Sequence, residues 1–216
     1  MTADLIRKEF ALSIPRGNYW WLAAVLLLLI PVWPFVIVFT YLFFGFFMIL
    51  NQFDKINHDL TLCATLPIPK TGVVWGRALT VMIIEAVMVV ASWPLAILRH
   101  WIWTEDNASG MNVNLAFYGF VLVMYAVFNL IYLVGTYHKA YGILWPIGGG
   151  TLIAVVVGLV LTTAPIVWPA LSVINDRGFG HLGIQAVVFA VGLVVWLAAT
   201  WGGWRWAAAR YEHVDL

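Results

Sequence analysis

The chain has 216 residues, of which 63% are hydrophobic and 10% are charged, with a net charge of +1. A soluble domain carries about 25% charged residues. The composition therefore excludes a soluble globular domain and indicates an integral membrane protein. The single cysteine, Cys63, excludes a disulfide framework within one chain and a multi-cysteine metal site. The near-zero net charge gives no indication of nucleic-acid binding, and we expect no such partner.

The first 17 residues form a charged, amphipathic segment that lacks the apolar core and cleavage site of a signal peptide. We expect an interfacial helix over residues 2–14, with a frayed terminus as the alternative. Its two faces are an inward one, Leu5, Ile6, Phe10 and Leu12, and a solvated one, Asp4, Arg7, Lys8 and Glu9.

Residues 18–50 are uncharged throughout. One helix of this length would reach about 50 Å at 1.5 Å per residue, too long for a hydrocarbon core of about 30 Å. Pro31 and Pro34 lie in the middle of the run. The sequence therefore predicts two short helices joined by a tight turn, and a single kinked helix is the alternative.

The segment 51–75 is the longest interval in which polar residues recur between apolar runs. Ile56, Leu60 and Cys63 form one apolar stripe of an amphipathic helix, which Pro67 and Pro69 would end because proline removes an amide donor. We expect this short helix to lie outside the bilayer, where it would present a docking surface for a soluble motor domain.

Four further apolar runs predict spans near residues 76–98, 113–135, 143–163 and 182–201, which makes six in one domain of residues 1–216. With six spans, nine of the eleven basic residues fall on the side of the termini, and only Arg99 and Arg177 fall opposite. This positive-inside bias places both termini and the segment 51–75 in the cytoplasm, with the chain in the inner membrane.

Motifs of the common enzyme classes are absent from the sequence. There is no G-x-x-x-x-G-K-[ST] phosphate loop, no G-x-S-x-G elbow and no H-E-x-x-H pair. The five histidines lie in or beside different loops, without the spacing of metal ligands. We expect neither catalysis nor a metal or cofactor in this chain.

Polar side chains inside the spans are the candidates for a transport path. Glu85 is the one carboxylate within a span, and Tyr118, Tyr125, Asn129 and Tyr132 lie near one face of the fourth span. Charged groups in a membrane are costly and face protein or water. These residues either line a cavity or join helices by hydrogen bonds, and the sequence leaves both alternatives open.

The fifth span carries small residues at four-residue intervals, namely Gly150, Ala154 and Gly158. Small residues at this spacing allow another helix to approach closely. We expect helix packing here, with a partner helix from the same chain or from a second copy.

The segment 51–75 and its flanks resemble the small permease subunits of type-2 ABC exporters, the ABC-2 permeases. In that family a polar residue ends the second span, a short helix follows, and a Leu-Pro turn and a basic residue open the third span. The corresponding residues here are Asp54-Lys55-Ile56-Asn57, then Thr65-Leu66-Pro67-Ile68-Pro69-Lys70, then Gly76-Arg77. Pro69 departs from the small polar residue that many relatives carry.

The resemblance implies a coupling helix that docks on a separate ATP-binding subunit, which would hold ATP and Mg. Two such subunits and a second permease, identical or different, would complete the exporter of a peptide, drug-like or other amphipathic substrate. The contacts it implies are Asp54, Lys55, His58, Asp59, Leu62 and Leu66, with Pro67 fixing the exit angle.

Three alternatives stay open at this point. One is a permease like the haem-exporter B subunit, which shares a similar Leu-Pro turn and length. Another is a self-contained channel or secondary transporter that uses Glu85. The last is a membrane anchor or assembly subunit without transport.

Overall fold

The computed structural model describes residues 2–30, 33–65, 68–103, 105–138, 144–177 and 180–213, and these ranges contain helices and turns but no strand. We number the helices in chain order: α1 (Thr2–Lys8), α2 (Val36–Ile56), α3 (Asp59–Thr65), α4 (Lys70–Ile102), α5 (Leu115–His138), α6 (Leu144–Val167) and α7 (Leu182–Tyr211). A wider π turn, Glu9–Ser13, continues α1, and two 3-10 segments cover Arg16–Leu29 and Pro169–Asn175.

Five helices, α2, α4, α5, α6 and α7, are long and apolar enough to cross a membrane. The chain is therefore an all-α, multi-pass membrane protein, as the composition predicts. Some helices extend beyond the predicted spans. The last predicted span stops near residue 201, whereas α7 continues to Tyr211. Extending a formed helix adds one hydrogen bond for each residue fixed, so α7 continues past the apolar run.

The run 18–50 folds as two antiparallel arms. Asn18 Nδ2, at the start of the first arm, donates a 3.0 Å hydrogen bond to the carbonyl of Phe46, near the end of the second. Trp21 stacks on Tyr41 with ring centroids 6.3 Å apart. The chain thus reverses between the arms, which excludes a single kinked helix.

At about 2.0 Å per residue, the 14 residues of Arg16–Leu29 reach about 28 Å. A membrane crossing by this first arm stays a prediction.

The helix α5 is the centre of the bundle. Its most apolar window is 67% buried inside the protein, against 17% for α7. Aromatic residues at four-residue intervals on α2, Phe39, Phe43 and Phe47, pack on it. The Phe43 and Phe128 rings stack with centroids 4.0 Å apart. Because lipid tails provide no hydrophobic driving force between helices, these packing contacts hold α2 on α5.

Glycines set the closest approach between helices. α5 and α7 cross where Gly119 meets Gly192, and a Cβ on Gly192 would lie 2.3 Å from the carbonyl oxygen of Gly119. A real Cβ does not come that near to an oxygen, so only glycine fits at this crossing.

The small residues of α6 face helices of the same chain. A Cβ on Gly158 would lie 2.8 Å from Met124 Sδ on α5, and a Cβ on Gly150 would lie 3.3 Å from Ile131 Cγ2. Ala154, between them, is fully buried. The structure therefore uses this stripe to pack α6 against α5.

Both ends of the described chain lie at one end of the bundle, where α4 begins. Leu5 of α1 packs on Gly76. Lys70 Nζ donates a 3.2 Å hydrogen bond to the carbonyl oxygen of Tyr211, at the end of α7. The short helix α3 lies between α2 and α4 in the chain and belongs to the same end. We call this the terminal end, and we call the other the distal end.

We predict that Gly192→Ala destabilises the protein by about 1–3 kcal/mol, because the added methyl group forces the backbones of α5 and α7 apart. Gly202→Ala, in the same helix but with no neighbour within 4 Å, is the matched control. It should be neutral or stabilising by about 0.5–1 kcal/mol, since alanine favours helix over glycine. Thermal unfolding of the detergent-solubilised variants measures both, and equal midpoints would contradict the α5–α7 crossing.

Candidate functional site

The candidate site is the segment between α2 and α4, where the predicted single amphipathic helix is wrong. α2 ends at Ile56, and His58 has φ 50°, the left-handed conformation that commonly follows a helix C-terminus. The amide of His58 donates to the carbonyl of Lys55 at 3.4 Å, which is one of the two hydrogen bonds of a Schellman ending. The chain then changes direction and begins α3. The sequence analysis missed this break because histidine, unlike glycine, is an uncommon residue at such a position.

The break exposes side chains that the sequence analysis placed on different faces. Ile56, from the predicted apolar stripe, is 71% exposed, and Leu62 is 53% exposed. Lys55 and His58 are exposed as well. We call these four residues, Lys55, Ile56, His58 and Leu62, the docking face.

Two residues of the same segment point inward. Cys63, from the predicted stripe, is buried, and so is Asp54, from the predicted contact set. Asp59 lies within α3, but its side chain is outside the described part of the structure, and Leu66 and Pro67 lie outside the described residues altogether.

Asp54 belongs to a buried group of charges centred on Arg77, which we call the Arg77 cluster. Arg77 Nη2 lies 2.8 Å from Glu9 Oε2 and 2.5 Å from Asp54 Oδ2. Lys8 Nζ lies 3.1 Å from Glu9 Oε1. Among these four described residues, two cations face two carboxylates, which meets the requirement that buried charges be paired.

The burial of Glu9 corrects the sequence analysis, which placed it on the solvated face of the first helix. Glu9 is only 3% exposed because Arg77, 68 residues later in the chain, supplies its counter-charge. The spacing of residues in the sequence did contain a signal for the burial of Glu9. Glu9 follows the inward Leu5 by four residues, so it lies on the same helical face.

The Arg77 cluster joins three elements at the terminal end. Glu9 comes from the turn after α1, Asp54 from the last turns of α2, and Arg77 from the second turn of α4. Lys8 Nζ also donates to Cys63 Sγ at 3.5 Å, which ties α3 to the amino-terminal segment. The docking face is thus fixed to α2 and α4 by charges that are shielded from water.

A second polar group lies in the middle of the bundle. Glu85 Oε2 on α4 accepts hydrogen bonds from Asn129 Nδ2 on α5 at 2.8 Å and from Trp196 Nε1 on α7 at 2.7 Å. Asn129 Nδ2 also donates to Thr200 Oγ1 at 3.0 Å. Glu85, Asn129 and Thr200 have no exposed surface. In this conformation the group joins three helices. Trp196 and Thr200 were missed because an isolated Trp or Thr in an apolar run carries no signal of its partner.

The tyrosines of the predicted cavity-lining set have different surroundings. Tyr125 donates to the carbonyl of Phe39 at 3.4 Å, and Tyr132 donates to Asn51 Oδ1 at 3.0 Å, so both join α5 to α2. Tyr118 lies at the distal end and lines a cavity there. The predicted set therefore does not form one continuous path in this conformation.

The site has no match among characterised proteins that would assign it. No protein-family model, no curated protein and no solved structure matches the chain. Within the described ranges, no three His, Cys, Asp or Glu side chains come together as a metal site.

We predict that Arg77→Gln destabilises the protein by about 3–5 kcal/mol, because it leaves Glu9 and Asp54 buried without a counter-charge. Arg205→Gln, which removes an exposed arginine, is the control and should change stability by less than about 0.5 kcal/mol. Adding Glu9→Gln and Asp54→Asn to Arg77→Gln should restore much of the loss. Thermal unfolding in detergent tests this, and additive losses in the triple variant would refute the pairing.

For Glu85 we predict that Glu85→Gln preserves stability, since its amide oxygen can still accept from Asn129 and Trp196. Glu85→Leu removes both acceptor positions and should cost about 1–3 kcal/mol for each donor left unpaired. The same unfolding measurement compares the two variants. A large loss in Glu85→Gln would show that the carboxylate does more than accept these bonds.

Proposed function

We propose that this chain is the permease subunit of an ATP-driven exporter of the ABC-2 type, and that the docking face receives a separate ATP-binding subunit. The observation that carries the proposal is the exposed docking face, fixed to two spans by the Arg77 cluster. It is supported by the resemblance of residues 54–77 to ABC-2 permeases.

The composition of the docking face suits a protein partner. Ile56 and Leu62 are apolar and largely exposed, and Lys55, which precedes Ile56 in the chain, is charged and exposed. An apolar centre with a polar rim is the usual anatomy of a protein interface. The face lies at the terminal end, and the bias of the basic residues towards that end supports a cytoplasmic location, where ATP is available.

The connection between this face and the spans suits the transmission of movement. A partner that pushes α3 acts on Lys8 through Cys63, and Lys8 pairs with Glu9 of the Arg77 cluster. Asp54 and Arg77 of that cluster belong to α2 and α4. Paired, buried charges resist separation, so a displacement would move the ends of both spans together rather than bend a loop.

The rest of the assembly follows from the proposal. The ATP-binding subunit would be present in two copies and would hold ATP and Mg, and a second permease, identical or different, would complete the path. α7 is mostly unburied within the protein, which leaves a face for lipid or for that second permease. The substrate would be a peptide, a drug-like compound or another amphipathic molecule, exported from the cytoplasm across the inner membrane.

The geometry supports one alternative equally and another less. A permease like the haem-exporter B subunit would use the same docking face and differ only in its partner and cargo. A self-contained channel or secondary transporter would need Glu85 in contact with a path, whereas Glu85 is enclosed by Asn129 and Trp196 in this conformation.

We predict that the full-length chain, isolated from its native membrane in mild detergent, carries a P-loop ATPase and hydrolyses ATP. The double variant Lys55→Glu, Leu62→Glu should lose this partner and its ATP hydrolysis, because it places two negative charges on the docking face. Arg205→Glu, a charge reversal on α7 towards the terminal end, should retain both. Mass spectrometry identifies the partner, and phosphate release measures its activity.

Labelling decides whether the face is on the required side of the membrane. In a Cys63→Ser background, His58→Cys should react with an impermeant maleimide only in inverted vesicles. Reaction in right-side-out vesicles, or transport by the purified chain without an ATPase, would refute the proposed function.

A further inference from the structure

A cavity of about 720 Å³ lies at the distal end, between the end of α4 and the starts of α5 and α7. It is partly open to the surroundings of the protein. Its lining combines charged and aromatic side chains, among them Trp93, Arg99, Trp101, Tyr118, Arg177 and Leu182. The sequence analysis named Tyr118 as a possible cavity-lining residue, but the proposed function does not use this site.

Arg99 brings a buried positive charge to the cavity. It is 7% exposed, its guanidinium lies 4.3 Å from the centre of the Phe35 ring, and its Nη1 donates to the carbonyl of Leu28 at 3.4 Å. Within the described residues its remaining guanidinium nitrogens have no acceptor, and no carboxylate forms an ion pair with it. The charge of Arg99 is therefore stabilised by the Phe35 ring and by the dipole of the Leu28 carbonyl, but no carboxylate of the described residues neutralises it.

Arg177 brings a second positive charge. Its guanidinium donates to the backbone carbonyls of His100, Trp103 and Glu105, and its Nε donates to His100 Nδ1 at 3.0 Å. These acceptors are uncharged, and no carboxylate in the described ranges pairs with Arg177. His100 accepts a hydrogen bond here, so it contributes no charge of its own.

Among the lining residues, the acidic side chains do not offset the two arginines. Glu105 is the acidic residue of the lining. The first residues of α5 and α7, Leu115 and Leu182, also line the cavity, and a helix N-terminus carries partial positive charge. The C-terminus of α4 carries the opposite partial charge, but Arg177 occupies the carbonyl of His100 there. The lining side chains therefore carry one net positive charge, while Asp106 and Asp176 lie beside the lining on Asn112 and His181.

The rim of the cavity is apolar. On α4, Ile97 is 63% exposed and Trp101 is 81% exposed, and Leu182 of α7 is exposed as well. These side chains extend the cavity along the outer faces of two spans. An anion that also carried a hydrocarbon chain would match both parts, with its head group at the guanidinium groups and its chain along α4 and α7.

We propose that this cavity binds an amphipathic anion, a molecule with one phosphate or carboxylate head group and an alkyl or acyl chain. The anion comes either from the bilayer, as an anionic lipid, or from solution, as a free amphiphile. Binding uses only this chain, so it does not depend on the proposed ATPase partner.

The experiment is native mass spectrometry of the full-length chain in dodecyl maltoside. The probes are dioleoyl phosphatidylglycerol, which is anionic, dioleoyl phosphatidylcholine, which has no net charge, and hexadecyl phosphate. We expect one phosphatidylglycerol per chain, bound about tenfold or more tightly than phosphatidylcholine, because one charge-assisted hydrogen bond is worth about that factor. Hexadecyl phosphate should displace it.

Three variants and one control locate the binding. Arg99→Gln and Arg177→Gln should each weaken phosphatidylglycerol binding about tenfold. Ala96→Phe fills the cavity from α4 without removing a charge, and it should abolish phosphatidylglycerol binding. This variant still tests the site if an arginine variant fails to fold. Arg205→Gln, an exposed arginine outside the cavity, should bind as the unchanged chain does. Thermal midpoints show which variants are folded.

The two anionic probes distinguish the sources. Retention of phosphatidylglycerol alone assigns the site to bilayer lipid, and retention of hexadecyl phosphate alone assigns it to a free amphiphile. Both results support an amphipathic anion. Two results would overturn the proposal. One is equal binding of phosphatidylglycerol and phosphatidylcholine together with no binding of hexadecyl phosphate. The other is undiminished anion binding by a folded Ala96→Phe variant.

Discussion

The guanidinium of Arg77, held between Glu9 and Asp54, is the interaction on which the terminal end of this protein depends. A buried cation is tolerated only where carboxylates meet it, so the three elements that carry these residues must assemble together. The amino-terminal segment, the end of α2 and the start of α4 therefore hold one another in place. The position of the docking face is a consequence of that assembly, since α3 is attached to the same elements.

Polar groups occur at three levels along the bundle, and each level is satisfied differently. At the terminal end, Arg77 is neutralised by carboxylates. In the middle, Glu85 accepts from the amide of Asn129 and the indole of Trp196. At the distal end, Arg99 and Arg177 rely on carbonyl groups and an aromatic ring. Within the described residues neither distal arginine has a carboxylate partner, and this difference in partners is the basis of the anion site.

The parts of the fold that could be predicted from the sequence are those fixed by local composition. Apolar length located the spanning helices, and Pro31 and Pro34 located the reversal between the first two arms. The rest depends on contacts between distant residues. Glu9 resembles a solvated residue until Arg77 is placed beside it, and Gly192 is one of many glycines until α7 crosses α5. The exposure of Ile56 follows from the left-handed backbone conformation of His58, and the periodicity of the side chains does not predict that conformation.

The first arm, Arg16–Leu29, shows what a 3-10 helix means for a protein in a bilayer. Its side chains repeat every three residues, so Leu22, Val25 and Leu28 face the bundle, while Trp20 and Leu26 face outward. Removing one residue from such an arm would rotate every later side chain by about 120° and shorten the arm by about 2 Å. Insertions and deletions in this arm would preserve its two faces only if the number of residues added or removed were a multiple of three.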